Sequence, residues 1–191
     1  MTIALEPRRR AKPSELQIRK LNKVFMSFDP DGDGVIDVLD LTGMAQLYCD
    51  AYHVPTRSEA WRNIHGRAQA MWRAIEQRTG TLNPAKLTRQ EWIDWMSSTE
   101  YADYVALAAI PFSMAAFALA DADGDGRCQV EEMSEAQRRS GMSEREIRWS
   151  FGLLDSDSDG YVTAAEFEQA LEEYYLSDDP DAPGNSIAGD L

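Results

Sequence analysis

Three short windows of this sequence repeat the same spacing of acidic side chains. Each window reads D-x-D-x-D-G, and the windows begin at Asp29, Asp121 and Asp155. Carboxylates this close together repel one another unless a cation neutralises them. Because calcium is a hard cation that takes oxygen ligands, the repeated spacing predicts three calcium-binding loops. The alternative, three acidic surface turns without a metal, does not explain why each window also carries a closing acid.

The first window supplies oxygens at positions 1, 3, 5, 7, 9 and 12 of a twelve-residue loop, as calcium loops of the EF-hand type do. Gly34 stands at position 6, where the chain must turn sharply. Position 12 is Asp40 rather than Glu, and this shorter side chain is expected to reach the ion with one oxygen, which would favour magnesium as a competitor. The predicted ligands are Asp29, Asp31, Asp33, the backbone carbonyl of Val35, Asp37 and Asp40.

The other two windows follow the same pattern and close with Glu, whose two oxygens can both reach the ion. Position 9 is Gln129 in the third loop and Thr163 in the fourth. The predicted ligands of the third loop are Asp121, Asp123, Asp125, the backbone carbonyl of Arg127 and Glu132. Those of the fourth loop are Asp155, Asp157, Asp159, the backbone carbonyl of Tyr161 and Glu166.

A second helix–loop–helix unit is expected between the first and third loops, because EF-hands usually occur in pairs. The window 80–91 fits in outline, but its positions 1, 3 and 5 carry no carboxylate. We therefore predict a structural unit that binds no calcium, the alternative being an unusual metal site. The residues at position 8 should pair across a short ladder within each pair of hands, Ile36 with Leu87 and Cys128 with Val162.

Amphipathic helices must position these loops, and the sequence marks where several of them begin. A Ser or Thr followed three residues later by Gln or Glu satisfies two free N–H groups at a helix start. These capping boxes are Ser14–Gln17, Thr88–Glu91, Ser143–Glu146 and Thr163–Glu166. The predicted helices span 14–28, 38–54, 58–78, 88–96, 100–120, 130–139, 143–154 and 163–176. The predicted fold class is all-α, with four EF-hands in two pairs packed into one compact globule.

Composition divides the chain into four segments. Residues 1–13 are predicted to be a flexible basic arm, and residues 177–191 a disordered acidic tail. The N-terminal pair of hands is expected in 14–99, with a functional first hand and a degenerate second one. The C-terminal pair is expected in 100–176, with both hands functional.

The charge of the chain narrows the classes of partner. The chain has 191 residues and a net charge of −14, which argues against nucleic acid and anionic membranes. The apolar stretch 105–120 is short for a membrane span, and Pro111 should kink it, so we expect a buried helix. Two distant cysteines form no disulfide framework, and the basic N-terminus lacks the apolar run of a secretory signal. We expect a cytoplasmic protein.

The arrangement of the loops resembles that of the sarcoplasmic calcium-binding proteins and their bacterial relative calerythrin, within the EF-hand superfamily. The shared features are functional loops one, three and four, a degenerate loop two after a wide gap, Asp40 closing loop one, and Pro111 before the third loop. The resemblance covers residues 14–176 and implies a compact globule that acts as a calcium buffer. The basic arm and the acidic tail depart from that family and leave room for a partner interaction.

A calcium buffer and a calcium sensor share the metal chemistry and differ in how the protein responds to the bound ion. A sensor opens an apolar groove, whereas a buffer barely opens. The eight methionines are scattered along the chain, and the N-terminal pair has one ion to drive opening. We therefore favour a monomeric intracellular buffer, with a sensor for an unidentified protein target as the alternative. No nucleophile–base set, phosphate-binding glycine loop or HExxH sequence is present, so we predict no enzyme.

Overall fold

The computed structural model describes residues 13–79, 86–98 and 100–191. Helices and two very short ladders make up its regular structure, which confirms the predicted all-α fold. The helices are α1 (Glu15–Phe28), α2 (Val38–Ala51), α3 (Glu59–Thr79), α4 (Arg89–Met96), α5 (Tyr101–Tyr104), α6 (Ile110–Ala120), α7 (Val130–Arg139), α8 (Glu144–Leu154) and α9 (Ala164–Leu176). A π-helical segment, Val105–Ala109, joins α5 to α6, and Pro183–Ser186 forms a 3-10 turn. The strands are β1 (Val35–Ile36), β2 (Leu87–Thr88), β3 (Arg127–Cys128) and β4 (Val162–Thr163).

The four predicted capping boxes are present at the starts of α1, α4, α8 and α9. In each box the cap side chain accepts a hydrogen bond from the backbone N–H three residues later, and that residue's side chain accepts one from the cap backbone. Each box therefore satisfies two N–H groups that the first helical turn leaves unpaired. A local signal of four residues was enough to predict where these helices begin.

Helix α2 ends at Ala51, before the predicted boundary at residue 54. His53 adopts a left-handed conformation with φ of 53°, and the Val54 N–H donates to the carbonyl of Cys49 over 2.8 Å. This closing turn satisfies a carbonyl that the end of the helix would otherwise leave unpaired. The chain therefore leaves the helix before it reaches Pro55, the residue that the sequence suggests as the stop.

The long apolar helix contains Pro111 directly after its π-helical segment. The N–H of Ile110 donates to the carbonyl of Val105, five residues back, and this wider turn accommodates a proline that cannot donate. Among the described residues, Tyr101–Ala120 is the helix long and apolar enough to cross a membrane by length and composition, and 50% of that window is buried inside the protein. Its buried side chains belong to the hydrophobic core.

Two ladders join the hands in pairs. Strands β1 and β2 pair antiparallel with Ile36 opposite Leu87, and β3 and β4 pair with Cys128 opposite Val162. All four of these side chains are 0% exposed. The predicted register is therefore confirmed in both pairs, and each ladder buries the residues at position 8 of its loops.

The two pairs of hands share one large hydrophobic cluster, which we call the main core. It joins the helices of the N-terminal pair to the Tyr101–Ala120 helix and to α9. Leu21 and Phe25 of α1 lie in the same cluster as Leu171 and Tyr174 of α9. The small core lies under the third and fourth loops and comprises Phe117, Ala120, Cys128, Met133, Leu154, Val162 and Ala170.

Residues 177–191 do not form the disordered tail that their composition predicts. Lys20 of α1 is 3% exposed, and its Nζ donates to the carbonyls of Glu173 and Ser177 over 3.1 and 2.9 Å. Further along, Gly184 lies against the backbone of α9 with no room for a side chain. Composition does not register these contacts, because the partners of the segment lie far away in the sequence.

Some predictions fall on residues outside the described ranges. Residues 1–12, which make up almost all of the predicted basic arm, lie outside them, as do residues 80–85 at the start of the second window. The division of the chain into two pairs of hands between residues 99 and 100 also stays a prediction.

Candidate metal centre

The three predicted loops each bring their leading aspartates into one cluster. Within each cluster, one carboxylate oxygen from every aspartate lies within 4.8 Å of the others. The sequence positions 1, 3 and 5 therefore meet in space in all three loops. The clusters are Asp29, Asp31 and Asp33; Asp121, Asp123 and Asp125; and Asp155, Asp157 and Asp159.

Backbone N–H groups hold these carboxylates in place. In the first loop, Asp29 accepts hydrogen bonds from the N–H groups of Asp33 and Gly34, each over 3.1 Å. Asp33 Oδ1 accepts one from the N–H of Val35 over 3.0 Å. The third and fourth loops repeat these bonds at the same positions. The chain's own donors therefore preorganise each cluster.

The backbone explains the glycine at position 6 of each loop. Gly34, Gly126 and Gly160 have φ of 83°, 85° and 89°, in a region that residues with a side chain rarely adopt. Position 4 is left-handed as well, and there the fourth loop has Ser158 with φ of 59°. The first and third loops have glycine at that position, so the fourth loop carries backbone strain that the others lack.

The closing acid of the fourth loop is held from two sides. Glu166 Oε1 accepts hydrogen bonds from the backbone N–H and the hydroxyl of Ser156 over 2.9 and 2.7 Å. Its Oε2 accepts from the N–H and the hydroxyl of Thr163, each over 2.9 Å. Partial burial raises the pKa of Glu166, but these hydrogen bonds outweigh it and lower the pKa to about 2. The carboxylate is therefore charged and fixed beside the loop.

Asp40 closes the first loop in a less favourable environment. Its Oδ2 accepts a hydrogen bond from the N–H of Asp37 over 2.7 Å. Burial raises the pKa of Asp40, and repulsion from Asp37, Asp31 and Asp33 raises it further. The charged form of Asp40 is therefore disfavoured by its surroundings until a cation joins the loop.

The remaining predicted ligands lie at the short ladders and at the starts of the helices that follow them. Val35 and Arg127, which would offer backbone carbonyls, begin β1 and β3, and Tyr161 directly precedes β4. Asp37 is the N-cap of α2, and Glu132 lies in the first turn of α7. The closing acids are not members of the aspartate clusters. The assignment of each of these residues as a ligand stays a prediction.

The sequence did not lead us to predict that two positively charged side chains, Lys86 and Arg127, lie against the aspartates of the loops. Lys86 Nζ lies 3.3 Å from Asp33 Oδ2, although the two residues are 53 positions apart. Arg127 Nε lies 2.9 Å from Asp125 Oδ2, and its guanidinium stacks 4.0 Å from the ring centroid of Tyr161. The proximity of Arg127 follows from its place two residues after Asp125. For Lys86 the available signal was the predicted pairing of β1 with β2.

The donor set fits a hard divalent cation. Every side chain in the three clusters is a carboxylate, the ligand type that suits calcium and magnesium. Cys128 lies close by in β3 but is fully buried, and burial together with nearby acids raises the pKa of its thiol to about 12. It is therefore a protonated apolar residue and offers no thiolate to a softer metal.

Known proteins share these loops and this fold. The family described as EF hand matches residues 21–44, 114–135 and 148–171, and each matched stretch encloses one predicted loop. The chain is 29% identical to a Streptomyces coelicolor calcium-binding protein, over 85% of this chain and 99% of that chain, with a TM-score of 0.72. No curated protein sequence matches it.

Two more distant structures are similar in fold. The coelenterazine-binding protein of Renilla muelleri is 18% identical, with 94% of this chain and 100% of that chain covered and a TM-score of 0.68. The Ca²⁺-regulated photoprotein mitrocomin of the jellyfish Mitrocoma cellularia is 16% identical, with 98% of both chains covered and a TM-score of 0.73. At these identities the similarity concerns the fold alone.

Proposed function

We propose that this chain, a calcium-binding protein of the EF-hand superfamily, acts as an intracellular Ca²⁺ buffer with three ion sites. The sites are the first, third and fourth loops, each with carboxylates at positions 1, 3, 5 and 12 and a backbone carbonyl at position 7. The second loop would bind no ion. Its role in this proposal is to complete the first pair of hands through the ladder between β1 and β2.

The packing of the main core is the observation that favours a buffer over a sensor. A sensor exposes the apolar faces of its hands when calcium binds, whereas a buffer keeps them covered. Here Leu21 and Phe25 of the first hand pack in one cluster with Leu171 and Tyr174 of the last hand. Opening either pair would therefore separate it from the other pair.

The free energies involved favour a protein that stays closed when calcium binds. Exposing a fully buried large apolar side chain costs about 1.5–3 kcal/mol, so separating Leu21, Phe25, Leu171 and Tyr174 would cost on the order of 6–12 kcal/mol. One ion at a hundredfold excess over its Kd stabilises the state it binds by about 2.7 kcal/mol. The single ion proposed for the N-terminal pair does not overcome that cost.

A sensor is the second candidate, and two observations favour it. Trp149 and Leu153 lie one turn apart on α8 and are 48% and 39% exposed, so they form an apolar patch that a partner protein could cover. The Streptomyces relative is described in connection with prokaryotic calcium-mediated regulation. If the protein is a sensor, calcium binding in the third and fourth loops would control whether a partner protein can reach α8.

A luminescent or other ligand-converting activity has less support. The cavity between α1, α4 and α9, lined in part by Leu21, Met96 and Tyr174, has a volume of about 10 Å³. That is room for about one water molecule, so this cavity does not hold an organic ligand such as the one that the Renilla protein binds. A larger space of about 400 Å³ beside Ser143, Trp149 and Asp190 is a more open cleft at the surface. We propose an ion-binding protein rather than an enzyme.

Dye binding to exposed apolar surface separates the two candidates. The full-length protein would be mixed with an environment-sensitive dye, first with a chelator and then with calcium. A buffer predicts unchanged or lower fluorescence after calcium is added, whereas a large rise would contradict it and favour the sensor. Trp149→Ala is the matched control, because a rise that this variant abolishes comes from α8.

The number of ions tests the loop assignment independently. Calorimetric titration of the chelator-treated protein should give three calcium ions per chain, and two or four would contradict the assignment. We further propose that magnesium competes in the first loop, that the protein is a cytoplasmic monomer, and that nucleic acid and membranes are not its partners. Chromatography with light scattering would test the monomer directly.

A further inference from the structure

Lys86 places a positive charge from the second hand against the first calcium loop. Its Nζ lies 3.3 Å from Asp33 Oδ2 and 4.0 Å from Asp37 Oδ2. The ladder puts it there, because the next residue, Leu87, pairs with Ile36 of the first loop. The register that joins the two hands therefore fixes this ammonium group beside two predicted calcium ligands.

Lys86 contacts the oxygen that Asp33 has available for a metal. Asp33 Oδ1 already accepts a hydrogen bond from the N–H of Val35 over 3.0 Å. Oδ2 is the oxygen that faces the ammonium group. A calcium ion that approaches Asp33 must therefore share this oxygen with Lys86 or displace it.

The aspartate at position 5 meets a different environment in each of the three loops. In the first loop it pairs with Lys86 of the neighbouring hand, and in the third loop Asp125 pairs with Arg127 of its own hand. Arg127 also stacks on the ring of Tyr161 in the fourth loop. Within the described parts of the chain, Asp159 of the fourth loop has no ion pair.

We propose that Lys86 is a tethered counter-cation of the first loop, which competes with calcium for Asp33 and Asp37 and weakens that site. This inference rests on the proposed calcium site in the first loop. Five acids crowd that loop, namely Asp29, Asp31, Asp33, Asp37 and Asp40. Without calcium, Lys86 offsets part of their repulsion, and with calcium the ion does so. The hand that binds no ion thereby lowers the calcium affinity of the first hand.

The expected effect is modest, because the pair is open to solvent. The side chains of Lys86 and Asp33 are 44% and 45% exposed, and exposed ion pairs are weakened by water and by salt. Removing the charge should tighten calcium binding in the first loop by about two- to fivefold. The change should be larger at low ionic strength than at high ionic strength.

The test needs a signal from each loop separately. The N–H of Gly34 donates to Asp29 Oδ2 over 3.1 Å, and those of Gly126 and Gly160 donate to the equivalent aspartates. An ion that binds these carboxylates changes the environment of the donating amide. Amide resonances of the three glycines in the ¹⁵N-labelled full chain, followed during titration with calcium chloride, therefore report the three loops one by one.

Three variants define the result. Lys86→Met keeps a chain of similar length without the charge, Lys86→Arg keeps the charge, and Arg67→Met removes one charge from an exposed position on α3. We expect Lys86→Met to lower the calcium midpoint at Gly34 by about two- to fivefold and to leave the other two glycines unchanged. Lys86→Arg and Arg67→Met should behave like the parent protein.

Several outcomes would overturn the proposal. An unchanged or higher midpoint at Gly34 in Lys86→Met would show that Lys86 does not compete with calcium. An equal shift in Arg67→Met would assign the effect to net charge. If Gly34 does not respond to calcium even in the parent protein, the proposed first site fails and this inference fails with it. That last result differs from the others because it needs no variant.

Discussion

The two pairs of hands in this protein are stabilised by different means. The N-terminal pair has one predicted ion site and packs its helices into the main core, where Trp92 meets Phe25 and Phe28 in edge-to-face contacts. The C-terminal pair has two predicted ion sites, and its loops lie over the small core. We therefore expect apolar packing to contribute more to the stability of the first pair, and bound ions to contribute more to that of the second pair.

The closing acids show the same difference at the level of single loops. Four hydrogen bonds from Ser156 and Thr163 lower the pKa of Glu166, so this carboxylate stays charged with or without calcium. Burial and neighbouring acids raise the pKa of Asp40. The fourth loop is thus prepared for its ion, whereas the first loop is a crowded group of acids that Lys86 partly neutralises.

Removing calcium should produce the largest effect and affect the two pairs unequally. At a hundredfold excess over Kd, each ion contributes about 2.7 kcal/mol, which gives about 5 kcal/mol for the C-terminal pair and half of that for the N-terminal pair. Hydrogen exchange measured with calcium and with a chelator should therefore show a greater loss of protection in α7 and α8 than in α1 and α4.

Restoring calcium provides the control for that experiment, because protection should return to its starting level. Equal losses of protection in all four helices would contradict the expected difference between the two pairs. They would mean that the main core transmits the loss of any ion to the whole chain, so that both pairs unfold as one unit.

Glu166→Gln should have the next largest effect. The amide replaces a charged oxygen ligand with a neutral group and leaves one oxygen for the ion. Since changing residues that merely orient metal ligands costs 10–100-fold in affinity, we expect calcium binding in the fourth loop to weaken by about a hundredfold or more. The calcium midpoint of the Gly160 amide is the measurement.

The matched control for this variant is Glu168→Gln, an exposed acid on α9 outside the loop. It changes the net charge equally and should leave the Gly160 midpoint where it is. Comparable weakening in both variants would argue that Glu166 acts through overall charge and not as a ligand. Glu132→Gln should repeat the main result in the third loop, with Gly126 as the reporter.

Local signals explain how much of this molecule could be predicted from its sequence. A capping box such as Thr163–Glu166 requires four consecutive residues, and the pairing of Ile36 with Leu87 follows from equal positions in two loops. The aspartate clusters follow from alternate positions in one turn, as in Asp155 to Asp159. In each case a short stretch of sequence contains the residues that the prediction needs.

The features that could not be predicted depend on contacts between distant segments. Residues 177–191 have the composition of a disordered tail, yet Lys20, more than 150 positions earlier, binds the carbonyls of Glu173 and Ser177. Lys86 is one exposed residue of a degenerate loop in the sequence, and the ladder places it beside Asp33. The contact of Lys20 leaves no periodic or motif signal in the sequence, and that of Lys86 is signalled only indirectly, by the pairing of Ile36 with Leu87.

Asp40→Glu should sharpen the contrast between the first loop and the others. The longer side chain can offer two oxygens, which suits the seven or eight ligands of calcium better than the octahedral shell of magnesium. We expect the calcium-over-magnesium preference of the first loop to rise by about tenfold. The Gly34 amide, titrated with calcium at several fixed magnesium concentrations, measures that preference.

Asp50→Glu is the control for this variant, because it lengthens an exposed acid of the same helix outside the loop. Unchanged magnesium competition in Asp40→Glu would reject the idea that the length of the closing acid sets the selectivity of the first loop. In that case the crowding of the five acids, and their pairing with Lys86, would remain as the determinant of the selectivity of the first loop.

Ser158→Gly should have the smallest effect and tests a difference within the C-terminal pair. Ser158 has φ of 59°, whereas Gly124 holds the same position of the third loop at 74°. A left-handed residue with a side chain costs about 1–2 kcal/mol, and the added freedom of glycine in the unfolded chain returns part of that. We therefore expect Ser158→Gly to raise the free energy of unfolding by about 0.5–1 kcal/mol, measured by denaturant titration at fixed calcium.

The reverse change, Gly124→Ser in the third loop, should lower the free energy of unfolding by a similar amount. A loss of stability in Ser158→Gly would mean that the serine hydroxyl contributes more to the fourth loop than its backbone strain removes, and the two loops would then differ in side-chain contacts and not in strain.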